Sequence, residues 1–105
     1  MADETAERIE RITKIESKYD DVKPKIEAFE ESLSNMKNVL EDVKILSDYY
    51  SNEWRGDFEA DEQGKIPNDL KRGVLTEDTL YDLFGDIYQI GEDMKNLSDK
   101  IKTFK

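Results

Sequence analysis

The feature that most constrains this chain is a heptad repeat. From Ile15 the apolar residues fall at Ile15, Tyr19, Val22, Ile26, Phe29, Leu33, Met36, Leu40 and Val43, in alternating steps of four and three. That alternation aligns them along one stripe of an α-helix, the a/d seam of a coiled coil. Upstream, Ile9, Ile12 and Ile15 step by three and three. Downstream, Val43, Leu46, Tyr50 and Trp54 step by three, four and four, so the seam shifts phase near both ends.

A second seam runs Leu80, Leu83, Ile87, Ile90, Met94, Leu97, Ile101 and Phe104. Thr76 reads as its N-cap, with Glu77 and Asp78 where the helix dipole favours acids. Leu75 and Leu80 are spaced for a hydrophobic staple across that cap. Lys95, Lys100, Lys102 and Lys105 put positive charge in the last turns. Gly85 and Gly91 interrupt the helix, either as tolerated surface glycines or as places where another backbone comes close.

The expected fold is therefore all-α, an antiparallel helical hairpin or coiled coil in a single domain, 1–105. Its long first helix covers residues 4–58 and is kinked near Pro24. A connector, 59–75, holds a short helical turn at 67–72, bracketed by Pro67 and Gly73. The second helix covers 76–104. The hairpin seam joins Ile15, Val22, Ile26, Phe29, Leu33, Met36, Leu40 and Val43 to Leu80, Leu83, Ile87, Ile90, Met94, Leu97 and Ile101. The alternative is a three-helix bundle with a break near Pro24, Asp21 capping a new helix.

The two helices differ in length. Residues 76–104 span about 43 Å and residues 4–58 about 80 Å. The second helix cannot cover the whole first seam, so its N-terminal part, Ile9 to Ile26, must be covered by a fold-back at Pro24 or by another chain. The chain is thus expected to be a homodimer or a fold-back monomer.

Composition narrows the function. Charged residues make up 40% of the 105 residues and hydrophobic ones 36%, which suits a narrow seam better than a broad core. Two prolines and five glycines argue against a disordered linker and against a β-rich fold. With no cysteine there is no disulfide and no thiolate site. With no histidine the chain also lacks the usual acid–base group near neutral pH and the commonest metal ligand. A non-catalytic protein with no cofactor and no bound metal is expected. No apolar run approaches the ~18 residues of a membrane span, and residues 1–12 do not resemble a signal peptide, so the expected location is the cytoplasm.

The least repetitive part lies between the helices. Seven of the ten aromatic residues gather near it: Tyr49, Tyr50, Trp54, Phe58, Tyr81, Phe84 and Tyr88. Tyr50, Trp54 and Phe58 are four apart and share one helix face. With Ile66, Leu70, Val74 and Leu75 they can form a small packed head.

The run WRGDFEADEQGKIPNDLKRGVLTEDTLYDLF, from Trp54 to Phe84, resembles the signature of a bacterial family, domain of unknown function 4298. Its members are short, with charged helical flanks around a stretch of this type. The resemblance implies a bacterial cytoplasmic origin and carries no activity. Trp54-Arg55-Gly56 and the late Tyr88-Gln89-Ile90-Gly91-Glu92 are also similar to the W-x-G and Y-x-x-x-E motifs of small WXG-type proteins exported by type VII secretion systems. There W-x-G makes a tight turn between two similar helices, whereas here the second helix starts only at Thr76. Asp57, Glu59 and Asp61 invite comparison with an EF-hand loop, but the glycine comes late, at Gly64, and Asn68 stands where the glutamate belongs.

Charge is concentrated in the same region. Glu53, Asp57, Glu59, Asp61 and Glu62 against Arg55 give residues 53–62 a net −4. Glu77, Asp78, Asp82, Asp86, Glu92 and Asp93 give residues 76–93 a net −6. The whole chain carries −10, so its other charges cancel. Lys65, Lys71 and Arg72, against Asp69, can neutralise the head only in part. No basic stripe is present to bind nucleic acid directly. The leading expectation is a protein–protein interaction or scaffolding module that docks through an acidic, aromatic-rich head. Its candidate surface is Trp54, Asp57, Phe58, Glu59, Asp61, Glu62, Asp78, Asp82 and Asp86. The alternatives are a WXG-like exported helical protein and an acidic helical inhibitor that mimics nucleic acid.

Overall fold

In the computed structural model, which describes residues 2–104 with side chains from Asp3 onward, the protein is all-helical. Three α-helices, α1 (Ala2–Asn52), α2 (Trp54–Glu62) and α3 (Thr79–Ile101), are joined by a connector that contains a 3₁₀ turn, Gly73–Leu75. No strand occurs among the described residues. Lys105, expected at the positive end of the second helix, lies outside them. The chain divides into two compact units, 1–42 and 43–105.

The first unit is a stretch of α1. The helix is continuous through Pro24, which corrects the alternative of a break near that residue. The heptad explains why. With Tyr19 and Ile26 at a and Val22 at d, Pro24 falls at f, the position farthest from the seam. There its ring costs one backbone hydrogen bond without disturbing the apolar stripe. A Lys14–Glu10 ion pair at 3.1 Å adds the modest support of an i,i+4 pair. Thr13 Oγ1 donates to the Ile9 carbonyl at 2.8 Å. The seam lies open: Ile15 is 63% exposed, and Tyr19, Val22, Ile26, Phe29 and Leu40 are also exposed. Leu33 and Met36 are half-buried.

In the second unit the last turns of α1 pass into α2 through Glu53. That residue keeps right-handed helical angles, φ −98° and ψ −19°. The hydrogen-bond ladder also survives, from Glu53 N to Tyr49 O at 3.0 Å and from Asp57 N to Glu53 O at 3.1 Å. The expected helix end at 58 is therefore replaced by two nearly continuous helices that run on to Glu62. Gly64 sets the stop. At φ +73° its N–H reaches Asp61 O and the Lys65 N–H reaches Ala60 O, both at 3.0 Å. These two bonds make a Schellman cap, and glycine adopts that backbone without a Cβ penalty.

The helical turn expected at 67–72 is reduced to a Leu70 N to Pro67 O bond of 3.2 Å, and the 3₁₀ turn follows it. α3 begins at Thr79, three residues later than expected, with Asp78 at its N-cap position. Thr76 does have the extended angles of a cap, φ −72° and ψ 149°. Its hydroxyl, however, lies on the Gly73 carbonyl, 3.1 Å away, and against the Thr79 hydroxyl. After Ile101 the chain continues in turns to Phe104. A Cβ at Gly85 or Gly91 would meet nothing within 4 Å, so neither marks a close backbone approach.

A small core holds this unit together. Trp54, Leu75 and Leu80 are buried, and Leu46, Tyr49, Tyr50, Phe58 and Phe84 pack against them. Leu75 and Leu80, the expected staple, both lie in this core. Of the remaining seam positions, Val43 and Ile87 are half-buried, while Leu83, Ile90, Met94, Leu97 and Ile101 are exposed. Leu80 is the most enclosed side chain of the core, 2% exposed. Leu80→Ala is expected to cost about 2–5 kcal/mol, measured by urea unfolding followed through Trp54 emission. A cost below about 0.5 kcal/mol would mean that this core does not hold the unit together.

Candidate functional site

The head of the second unit is built outward from Trp54. Because Glu53 stays helical, Tyr50, Trp54 and Phe58 keep their i,i+4 spacing across the α1–α2 junction. Trp54 stacks on Phe58 with centroids 5.0 Å apart and planes at 19°. Tyr50 tilts against Trp54 at 5.3 Å and against Phe84 of α3 at 5.5 Å. Aromatic pairs of this kind contribute about 0.5–1.5 kcal/mol each beyond the area they bury. The indole Nε1–H donates to the Val74 carbonyl at 2.8 Å, which ties the 3₁₀ turn to α2.

Two polar contacts fix the surroundings. The Tyr49 hydroxyl donates to Asp57 Oδ2 at 2.7 Å. Arg72 Nη1 donates to Asp61 Oδ1 at 2.8 Å, within a half-buried ion pair. The same nitrogen reaches the Ile66 and Pro67 carbonyls at 3.3 Å each, and Nη2 reaches Asn68 Oδ1 at 3.4 Å. One guanidinium therefore gathers the connector, using the fork of donors that only arginine offers. Between these contacts lies a shallow, open recess lined by Tyr49, Asp57, Ile66, Leu70, Arg72 and Val74.

The predicted surface residues separate into two groups. Trp54 does not belong on a docking surface. It is 8% exposed, and its one polar atom is already paired. Phe58 is half-buried on the indole, Asp57 is held by Tyr49, and Asp61 is held by Arg72. Glu59 and Glu62 on α2, Asp78 at the α3 N-cap, and Asp82 and Asp86 on α3 are exposed. Among the described residues none of these five has an ion-pair partner. Asp57, Glu59 and Asp61 stand on a helix rather than a loop, and Trp54-Arg55-Gly56 forms the first turn of that helix.

Sequence reasoning missed Tyr49–Asp57 and the Arg72 hub. The first spans eight residues across the α1–α2 junction, a spacing that no single-helix rule singles out. The second had one signal: Arg72 is the only arginine between Gly56 and the C-terminus, in a chain otherwise rich in lysine.

The chain matches the family described as a domain of unknown function (DUF4298) over residues 12–97. No curated protein and no solved structure matches it.

The Tyr49 phenol is pushed up from 10.0 to about 12 by burial, by its hydrogen bond to the Asp57 carboxylate, and by the negative charges of Asp57 and Glu53. A raised pKa means that the folded head holds this proton more tightly than the unfolded chain does. The resulting stabilisation is complete below pH 10 and is lost as the pH rises through about 12. Tyr49→Phe is expected to remove a tyrosine titrating at about pH 12 from an ultraviolet titration and to flatten the loss of stability over that window. Superimposable curves for parent and variant would contradict the Tyr49–Asp57 contact.

Proposed function

The chain belongs to the DUF4298 family, and we propose that it is a non-catalytic protein–protein interaction module whose acidic head docks a basic protein surface. The observation that carries this reading is the division of labour among the head's acids. Asp57 and Asp61 are held by internal contacts. Glu59 and Glu62 of α2, Asp78 at the α3 N-cap, and Asp82 and Asp86 of α3 are exposed, and none of them has an ion-pair partner among the described residues. Charges held on a rigid scaffold speed encounter and select partners of opposite sign. The absence of histidine and cysteine, and the shallowness of the recess beside Tyr49, favour a docking role over a catalytic one.

The working location we propose is the bacterial cytoplasm. No helix among the described residues is long and apolar enough to cross a membrane.

The test reverses exposed acids and leaves the internally bound ones intact. A Glu59→Lys, Glu62→Lys, Asp82→Lys, Asp86→Lys variant keeps every contact of Asp57 and Asp61. Its far-ultraviolet spectrum and Trp54 emission should match the parent. In a pull-down from a bacterial cytoplasmic extract it should lose the partners that the parent captures at low salt, and the parent should lose the same partners as salt rises. Capture of one set of partners by both proteins would overturn the acidic-head reading.

A further inference from the structure

We propose that the α1 seam is an interface for a second copy of this chain, packed antiparallel so that Ile15 of one copy faces Leu40 of the other. α1 is helical without a break over the seam, so no fold-back at Pro24 covers it. Its apolar side chains from Ile15 to Phe29, and again at Leu40, are exposed. Burying such a stripe on two chains removes on the order of 1,000 Å² from water, the lower bound for a specific interface. An apolar stripe of this size does not stay in water unpartnered.

Charge complementarity identifies the occupant and its direction. In the heptad, a is Tyr19, Ile26, Leu33 and Leu40, and d is Ile15, Val22, Phe29 and Met36. The flanking e positions are then Glu16, Lys23, Glu30 and Lys37, and the g positions are Lys18, Lys25, Ser32 and Val39. All four e residues are exposed. Antiparallel helices bring e beside e and g beside g.

With Ile15 opposite Leu40 of the second copy, Glu16 meets Lys37 of the second copy and Lys23 meets Glu30 of the second copy. The two-fold axis repeats each attraction. Lys18 faces Val39 of the second copy and Lys25 faces Ser32 of the second copy, so no like charges meet. A parallel dimer pairs g with the following e. It gains Arg11–Glu16 and Lys25–Glu30 but sets Lys18 against Lys23 of the other copy.

Packing points the same way. The antiparallel register places Tyr19 against Met36, Phe29 against Ile26 and Val22 against Leu33, each from opposite copies. These layers are of even volume. A parallel pair would stack Tyr19 on Tyr19 and Phe29 on Phe29, with a thin Val22 layer between them, a mismatch that close-packed interiors resist. The seam residues from Ile15 to Leu40 are all on one unbroken helix and pair completely among themselves.

Analytical ultracentrifugation of the full chain with single and double charge changes tests both parts. The parent should be a dimer at tens of micromolar. Lys23→Glu places like charges together twice in the antiparallel dimer and should weaken it about tenfold. In a parallel dimer the same change would instead relieve Lys18–Lys23 and tighten association. Adding Glu30→Lys should restore the antiparallel dimer to near parental affinity. In a parallel dimer that second change would turn the Lys25–Glu30 attraction into a repulsion. A chain that stays monomeric at about 100 micromolar would overturn the proposal, as would tighter association of Lys23→Glu. None of these positions lies in the acidic head, so failure here and failure of the docking reading are read separately.

Discussion

The second unit depends on one side chain. Trp54 supplies the largest apolar surface in a core of only three buried residues, and its indole N–H closes on the Val74 carbonyl at 2.8 Å. That bond and the burial of Leu75 are the two ties between the 3₁₀ turn and the core. The turn in turn presents Leu75 to the core and delivers the chain to α3, where Leu80 completes the packing. A core this small contributes only a few kcal/mol against the ordering entropy of the chain it organises. The aromatic stack of Tyr50, Trp54, Phe58 and Phe84 is what makes so few residues sufficient.

Trp54 also organises the surface. By anchoring α2, it fixes the helix on which Asp57 and Asp61 bond Tyr49 and Arg72 while Glu59 and Glu62 have no ion-pair partner. Burial and the Asp57 carboxylate together raise the Tyr49 phenol, so the folded head holds that proton more tightly than the unfolded chain. The acids of this region thus do two kinds of work. Some brace the connector, and the others give the head its field.

Much of this was legible in the sequence, and the limits have physical causes. The heptad steps identified the long first helix, and they also explain why Pro24 leaves it whole, since an f-position ring stays clear of the seam. The four-residue spacing of Tyr50, Trp54 and Phe58 foretold their shared face, and the spacing of Leu75 and Leu80 foretold their place in the core. Boundaries were less legible. Helix α2 outruns the expected end at 58 because Gly64 caps it through a left-handed turn, and a lone glycine does not announce which cap it makes. The start of α3 moved to Thr79 because the Thr76 hydroxyl went to Gly73 and Thr79. The partners of Asp61 and Trp54 depend on how α2 and the connector fold onto one another, and that of Asp57 on the α1–α2 junction, none of which local periodicity encodes. Trp54 was expected both in the packed head and on the candidate surface, and its burial and its bond to Val74 place it in the core.

The central role of Trp54 is tested most directly by hydrogen exchange measured on its indole N–H resonance. If that group is bonded to Val74 inside the core, it exchanges only when the unit unfolds, and its protection falls with denaturant in step with the backbone amides around Leu80. Exchange at the rate of a free tryptophan, under conditions where α3 is still helical, would contradict the account. The head would then not be built on Trp54, and the assignment of bracing and exposed acids would fail with it.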